Sequence, residues 1–392
     1  MKEEKEDWQR EKLKQCDGDP SQVWGNILGW LDWKTTSSPT KLYSGNNIET
    51  SQAKNAEIMN KYYINKVKKI RAELPPATVD PLGPLRQMIR GCPTTFQFTP
   101  VAPDLVGKII RNLKNSKLCG LDNVDSYILK LIREQVLAPL THIVNFSLSS
   151  GVFPSSYKVG KVVPLYKGKG DIMEPSSYRS VCLLPVACKV LERCVFLQMV
   201  AYMEDNGYFH PNHHGFRNGH STTTALLQMY DSWMEEVDNQ QLVAACLIDL
   251  SAAFDVVDAE LLVAKLGLYG YSSHTQKWIT SYMSARSQQC YLTHCCRRRR
   301  GRSRCTPGII LGPLLYLIFK NEFPEVIHAH PLTAKDSHPW KQRLNIDCMD
   351  CGSICTYADD RTYSTSEENQ KTLSEKVSNK FTVMAKFLLP QS

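Results

Sequence analysis

The chain has 392 residues, of which 42% are hydrophobic and 22% charged, the composition of a globular protein. Its 47 basic and 39 acidic residues leave a net charge of +8, which weakly favours a polyanionic partner. The charged N-terminus lacks the apolar core of a signal peptide, and the longest apolar run, 309–319, is too short to span a bilayer. The 14 cysteines therefore indicate reduced thiols in an intracellular protein, nuclear or cytoplasmic and not secreted, with no membrane partner.

The first 95 residues are polar and poorly periodic, and we interpret them as a linker that carries one helix over 53–73. From about residue 96 the apolar spacing of three and four predicts helices. These predicted helices cover 104–113, 126–148, 186–204, 259–268, 276–286 and 312–327, and one more begins after a cap at Ser221. A short strand is predicted over 159–165.

Two further strand signals each bring carboxylates to a strand end. The apolar run 242–248 is typical of a strand buried on both faces, and it ends at Asp249. The segments 353–357 and 362–365 have β-type composition and predict a hairpin with Asp359 and Asp360 at its turn. Taken alone, Asp249 is as consistent with a helix cap, and an acidic pair at a turn is common on protein surfaces.

Taken together, these carboxylates indicate more than either signal does alone. If the two strands are neighbours, Asp249 and the Asp359–Asp360 pair meet, and carboxylates brought together repel one another. A divalent cation removes that repulsion, and two hard ions with oxygen ligands can stabilise both the attacking and the leaving oxygen in phosphoryl transfer. This arrangement predicts the chemistry of a nucleotide polymerase.

Seven ordered blocks of sequence carry a resemblance to one family. The segments 247–255 and 357–360 are similar to polymerase motifs A and C of reverse transcriptases from non-LTR (LINE-type, jockey-like) retrotransposons. The other blocks that resemble this family in order are 115–122, 151–154 with 161–167, 175–192, 214–227 and 310–315. The resemblance covers roughly residues 95–390.

The resemblance implies a fold, a domain organisation and an activity. The fold is expected to be α+β, with the fingers and palm of a right-hand polymerase, an antiparallel palm sheet and no thumb. Its expected domains are an N-terminal extension (1–95), the fingers (96–240) and a palm (241–392) truncated before the thumb. The implied activity is RNA-directed DNA polymerisation from deoxynucleoside triphosphates on an RNA template with a DNA primer. The alternative is an inactive remnant of a retrotransposon that at most binds nucleic acid.

The resemblance also implies roles for individual residues. Asp249, Asp359 and Asp360 are the predicted catalytic residues and hold two Mg²⁺ ions, for which Mn²⁺ can substitute. The predicted nucleotide-binding residues are Lys167, Arg179, Phe254 and Gly308. Without the family, Phe254 is as consistent with a core aromatic residue, and Lys167 and Arg179 with solvated side chains. Arg217 is a candidate for nucleic-acid contact, with a surface salt bridge as the equal alternative.

Two further segments allow alternative interpretations, and one residue differs from the family's motif B. Arg297, Arg298, Arg299 and Arg300 can bind phosphates, or they belong to a solvated loop or a corrupted reading frame. Cys348 and Cys351 can hold zinc together with nearby histidines, or they are free thiols. The family's motif B has a glutamine where this chain has Pro307, which has no side-chain donor. For this reason, and because of the missing thumb, we expect the chain to extend a primer poorly.

Overall fold

The computed structural model describes most of the chain between residues 39 and 367. The described residues are Glu11 and the ranges 39–45, 47–72, 80–89, 94–248, 257–292, 301–302, 310–324, 353–357 and 360–367. Within them the chain combines helices with small sheets that include antiparallel strands. None of the described helices is long and apolar enough to cross a membrane.

Most of the described helices lie where the periodicity predicts them, but the helix predicted over 312–327 ends at Phe319, and the helix at Gly83–Met88 was not predicted. The α-helices in chain order are α1 (Gln52–Ala72), α2 (Gly83–Met88), α3 (Pro103–Asn112), α4 (Ser126–Leu131), α5 (Arg133–Ser150), α6 (Val186–Asp205), α7 (Thr222–Asp238), α8 (Ala259–Leu268), α9 (Ser273–Met283) and α10 (Leu311–Phe319). Ser221 caps α7 as predicted, because its hydroxyl accepts from the Thr224 N–H while the Thr224 hydroxyl accepts from the Ser221 N–H.

The single helix predicted over 126–148 is wrong in one respect, since the structure divides it into α4 and α5. The break falls at Ile132, whose backbone (φ −95°, ψ 19°) leaves the helical range. Apolar residues continue at helical spacing on both sides of the break, and for that reason the periodicity did not reveal it.

The strands form three sheets in the described part of the chain. The strands are β1 (Leu42–Ser44), β2 (Asn47–Glu49), β3 (Val159–Tyr166), β4 (Tyr178–Leu183), β5 (Leu242–Ile248), β6 (Ser287–Cys290), β7 (Gly301–Arg302), β8 (Ser353–Tyr357) and β9 (Asp360–Glu367). The sheets have the orders β1-β2, β4-β3-β6-β7 and β5-β9-β8, and the third is antiparallel throughout. The predicted strand 242–248 and the predicted hairpin are both present.

The expectation that β5 is buried on both faces is wrong at its beginning. Leu242 is 47% exposed, and Ala245 is also exposed. The run was interpreted from its apolar composition, but β5 lies at the edge of its sheet, with β9 as its hydrogen-bonded neighbour in the described chain. Composition alone does not distinguish an edge strand from a central one.

The chain divides into two compact units. One unit comprises residues 1–62, 162–181 and 290–298, and the other comprises 63–161, 182–289 and 299–392. The main hydrophobic core lies in the second unit, where fully buried residues of α6, α8, α9 and α10 pack together. The three consecutive domains expected from the sequence stay a prediction.

A buried ion pair joins α8 to the end of α10 inside the second unit. The Lys265 ammonium pairs with the Glu322 carboxylate and donates to the Phe319 carbonyl at 2.7 Å. Both side chains are almost completely buried, with 3% and 0% of their surface exposed. Next to this pair, the Asn321 amide nitrogen donates to the Tyr269 hydroxyl and to the Tyr208 carbonyl. Polar side chains therefore fix how the end of α10 meets its neighbours.

Gly120 lies where a side chain has no room. A Cβ built on Gly120 would lie 2.6 Å from the Pro185 nitrogen and 2.8 Å from the Leu184 carbonyl carbon. Both neighbours are backbone atoms, which cannot rotate away. We expect Gly120→Ala to lower the free energy of unfolding by roughly 1–3 kcal/mol. Urea unfolding measures this, with Gly83→Ala as the comparison: neither glycine has a positive φ, but a Cβ on Gly83 would meet nothing nearer than the Asp80 carboxylate at 3.7 Å. A stability unchanged in Gly120→Ala would show that this contact relaxes freely.

Candidate active site

The antiparallel sheet brings two strand ends together at the beginning of β9. In its register Ile248, the last residue of β5, is the partner of Arg361, and Tyr357, the last residue of β8, is the partner of Asp360. Partner Cα atoms in antiparallel sheets lie about 5 Å apart. The backbone of Ile248, which directly precedes Asp249, is therefore close to Arg361, and the backbone of Asp360, which directly follows Asp359, is close to Tyr357.

Several predicted site residues lie outside the residues whose side chains the structure describes. These are Asp249, Phe254, Arg297, Arg298, Arg299, Arg300, Gly308, Cys348, Cys351 and Asp359, and for Asp360 the structure describes the backbone alone. The convergence of the three aspartates, and the zinc site, stay predictions. Among the described residues, no group of three or more His, Cys, Asp or Glu side chains is arranged to hold a metal ion.

Lys167 and Arg179 lie near one another where β3 and β4 meet. The Lys167 N–H donates to the Ser177 carbonyl at 2.9 Å, and its ammonium donates to the Ser176 carbonyl at 2.6 Å. The rings of Tyr166 and Tyr178 are 5.6 Å apart, and they fix the register of the two strands just before Arg179. The Arg179 side chain is exposed. The structure therefore presents two cations at one end of a strand pair.

The loop between these strands is held by backbone contacts that the sequence did not reveal. The Tyr178 hydroxyl donates to the Ile172 carbonyl, and the Tyr43 N–H of β1 donates to the Met173 carbonyl at 3.1 Å. Gly170 has φ +87°, and a Cβ there would lie 2.6 Å from the Ser177 hydroxyl. Part of the segment interpreted as a linker therefore supports the loop beside Lys167.

Arg217 has a defined set of partners inside the protein. Its guanidinium makes two hydrogen bonds to the Glu204 carboxylate, at 3.1 and 3.2 Å, and donates to the carbonyls of His210 and His213. Its side chain is only 10% exposed and stacks over the Phe209 ring at 5.1 Å. Of the two alternatives for Arg217, the salt bridge is present, while contact with nucleic acid stays a prediction.

The two roles of Arg217 can be separated by one variant. We expect Arg217→Met to lower the free energy of unfolding by about 2 kcal/mol, since Glu204 and two carbonyls lose a charged donor. We expect the salt dependence of RNA–DNA duplex binding to stay unchanged, measured by fluorescence anisotropy at several salt concentrations. If the slope of the logarithm of the binding constant against the logarithm of the salt concentration falls by about one, Arg217 contacts a phosphate.

Comparison with known proteins shows the family to which this chain belongs. Residues 167–389 match the model of the family described as reverse transcriptase (RNA-dependent DNA polymerase). The chain is 27% identical over 237 residues to the probable RNA-directed DNA polymerase from transposon X-element of Drosophila melanogaster, covering 58% of this chain and 25% of that protein. It is also 27% identical over 236 residues to the RNA-directed DNA polymerase from mobile element jockey of Drosophila funebris, covering 59% and 26% of the two chains.

The matched region covers more than half of the chain, so that the chain belongs to the reverse transcriptase family. Its similarity to polymerases of the jockey and X-element transposons confirms the predicted relation to the non-LTR group. The chain spans about a quarter of the length of these curated relatives.

Proposed function

We propose that this chain carries the nucleotidyl-transfer site of an RNA-directed DNA polymerase with an α+β fingers-and-palm fold. In this reaction the 3′-hydroxyl of a DNA primer on an RNA template attacks the α-phosphate of a deoxynucleoside triphosphate, and pyrophosphate leaves. The observation that carries the proposal is the register of β5, β9 and β8. We propose that this register continues by one residue, so that Asp249 lies opposite Asp360, which follows Asp359 in the chain.

The residues proposed for this end of the sheet have the chemistry of ligands for divalent metal ions. Asp249, Asp359 and Asp360 offer the hard oxygen ligands that Mg²⁺ prefers, and three carboxylates meeting at one point need positive charge to coexist. When bound, two such ions lower the charge at the transferring phosphate and orient the reacting oxygens. Mn²⁺ has a similar preference for oxygen ligands and is expected to substitute for Mg²⁺.

The fingers residues are proposed to bind the triphosphate. Lys167 and Arg179 lie on one strand pair, and fixed positive charges stabilise the negative charge that spreads over phosphate oxygens in the transition state. The Lys167 ammonium would exchange the Ser176 carbonyl for a phosphate oxygen on binding. Phe254 is proposed to exclude a ribose 2′-hydroxyl, and Gly308 to let the nucleotide approach the backbone.

Primer extension tests this proposal directly. The purified chain is incubated with Mg²⁺, deoxynucleoside triphosphates and a DNA primer annealed to RNA, beside an Asp359→Ala variant. We expect weak synthesis that the variant abolishes and that ribonucleoside triphosphates do not support. Salt-dependent binding of the duplex without any synthesis would reject the enzymatic proposal and leave nucleic-acid binding as the function of this chain.

Pro307 provides an independent test within motif B. We expect Pro307→Gln to raise the rate of nucleotide incorporation about tenfold, because an amide donor worth about 1.4 kcal/mol returns to the nucleotide site. Single-nucleotide incorporation at several triphosphate concentrations measures this, with Pro307→Ala as the control that removes the ring without adding a donor. An equal gain from both variants would show that the proline ring, and not the missing amide, limits the rate.

Two other predictions stay open in this proposal. Arg297, Arg298, Arg299 and Arg300 are proposed to contact the nucleic-acid backbone, which predicts that duplex affinity falls steeply as salt rises. Zinc binding by Cys348 and Cys351 is tested by metal analysis of the purified protein together with alkylation of the two thiols.

A further inference from the structure

Glu192 is a fully buried carboxylate in the middle of α6, with 0% of its surface exposed. One of its oxygens accepts hydrogen bonds from the Tyr282 hydroxyl at 3.1 Å and the Cys188 thiol at 3.5 Å. The other oxygen accepts from the backbone N–H of Ile310 at 3.3 Å. Buried carboxylates are costly unless donors surround them, so the placement of three donors here is a specific feature of the fold.

A buried cation lies in the same cluster. The Arg286 guanidinium is 4% exposed and lies 4.6 Å from the centre of the Tyr282 ring. Burial raises the pKa of Glu192, whereas the positive charge of Arg286 and the hydrogen bond from Ile310 act in the opposite direction. Burial is the larger effect, so the pKa of Glu192 is raised overall, and the contacts with Arg286 and Ile310 offset part of that rise.

The hydrogen bond from Ile310 lies at the beginning of α10. Ile310 is the N-terminal cap residue of this helix, and its own side chain caps nothing. The first N–H groups of a helix have no partner within the helix, and a carboxylate there is also favoured by the helix dipole. Glu192 of α6 is thus hydrogen-bonded to the backbone of Ile310, which lies two residues after Gly308 in the sequence.

We infer that Glu192 is a positioning residue, which fixes the backbone at Ile310 and thereby the motif B segment before it. Gly308, which is proposed to meet the incoming nucleotide, lies two residues before Ile310 in the sequence. The nucleotide part of this inference rests on the proposed function, whereas the anchoring of Ile310 does not. No side chain of this cluster needs to touch the substrate.

Hydrogen exchange tests the anchoring without any activity. Glu192→Met keeps the length of the side chain but removes the acceptor, whereas Glu192→Gln keeps one oxygen that can face Ile310. Tyr282→Phe removes a donor from the same carboxylate and leaves Ile310 untouched. We expect exchange of the Ile310 amide to be at least about tenfold faster in Glu192→Met, and within about threefold of the original rate in the other two variants.

A second variant tests the anchoring of Ile310 if Glu192→Met does not fold. Glu192→Asp keeps the charge beside Arg286 but shortens the side chain by one methylene, so that its oxygens reach less far towards Ile310. We expect about fivefold faster exchange of the same amide in this variant. Unchanged exchange in every folded variant of Glu192 would overturn the inference, as would equal acceleration in Tyr282→Phe, which would indicate general loosening.

Nucleotide binding tests the consequence for the site. α-Labelled dTTP is cross-linked by ultraviolet light to the complex of the chain with primer, RNA template and Mg²⁺. The experiment gives the dTTP concentration at which cross-linking is half-maximal. We expect this concentration to rise about tenfold in Glu192→Met and to recover in Glu192→Gln, with duplex affinity unchanged. Faster exchange without any change in dTTP binding would overturn the positioning role. If the unsubstituted chain does not cross-link at all, the proposed function fails and the exchange rates alone decide the anchoring.

Discussion

Asp249→Asn is expected to lower the rate of nucleotide incorporation about a thousandfold, a loss of about 4 kcal/mol of transition-state stabilisation. The substitution keeps the shape of the side chain but removes one negative charge from a site proposed to hold two divalent ions. Its amide nitrogen would also face the metal in one of two orientations, where an oxygen is needed. Single-nucleotide incorporation with excess Mg²⁺ measures the effect, and the Pro307→Gln background gives the largest initial signal.

The control for Asp249→Asn removes the same charge elsewhere. Asp231 is an exposed residue of α7, and no hydrogen bond or ion pair to its carboxylate is found among the described residues. Asp231→Asn is expected to keep the original rate within about twofold, since a single exposed charge is well screened. Comparable losses in both variants would show that overall charge, and not metal binding, sets the rate. An active Asp249→Asn would reject the assignment of Asp249.

Lys265→Met is expected to lower the free energy of unfolding by about 3–5 kcal/mol. The substitution preserves most of the apolar volume but leaves the Glu322 carboxylate buried without its cation. One oxygen of Glu322 already has no hydrogen-bond partner among the described residues, which makes the loss of Lys265 harder to compensate. The Phe319 carbonyl loses its donor at the same time. Urea unfolding followed by the fluorescence of the buried Trp278 measures the change.

The double variant Lys265→Met with Glu322→Met shows whether the lost stability comes from the unpaired charge or from packing. With both charges removed, the desolvation penalty disappears, and buried pairs replaced by apolar residues are often nearly neutral in stability. We therefore expect the double variant to regain most of the stability that Lys265→Met loses. A double variant as unstable as the single one would place the loss in packing around Phe319, and not in the unpaired charge.

Local patterns in the sequence predicted much of the fold. The periodicity around α3, α6 and α8 placed these helices within about two residues of their ends, because apolar residues recur at helical spacing along each of them. The capping residue Ser221 acts through neighbours three positions away, which a sequence displays directly. The hairpin of β8 and β9 was predicted for the same reason, since its strands adjoin in the chain.

Interactions between distant segments account for what the sequence did not predict. The contact of Tyr43 with the Met173 carbonyl joins segments 130 residues apart through backbone atoms, which leave no trace in residue types. The bond between Glu192 and Ile310 is equally remote, and a lone glutamate in an apolar helix is readily interpreted as an exposed residue. At the candidate site, the sequence predicted the aspartates but gave no sign of the buried groups that hold neighbouring segments in place.

The antiparallel register of β5 and β9 has a consequence for changes in chain length. Because the sheet pairs Ile248 directly with Arg361, the loops that connect the elements between β5 and β9 can lengthen or shorten without moving either strand end. A deletion of one residue inside β5 is different. It inverts which side chains face each side of the sheet from the deletion onward. Natural variation in length should therefore collect in the connections and be absent from the seven residues of β5.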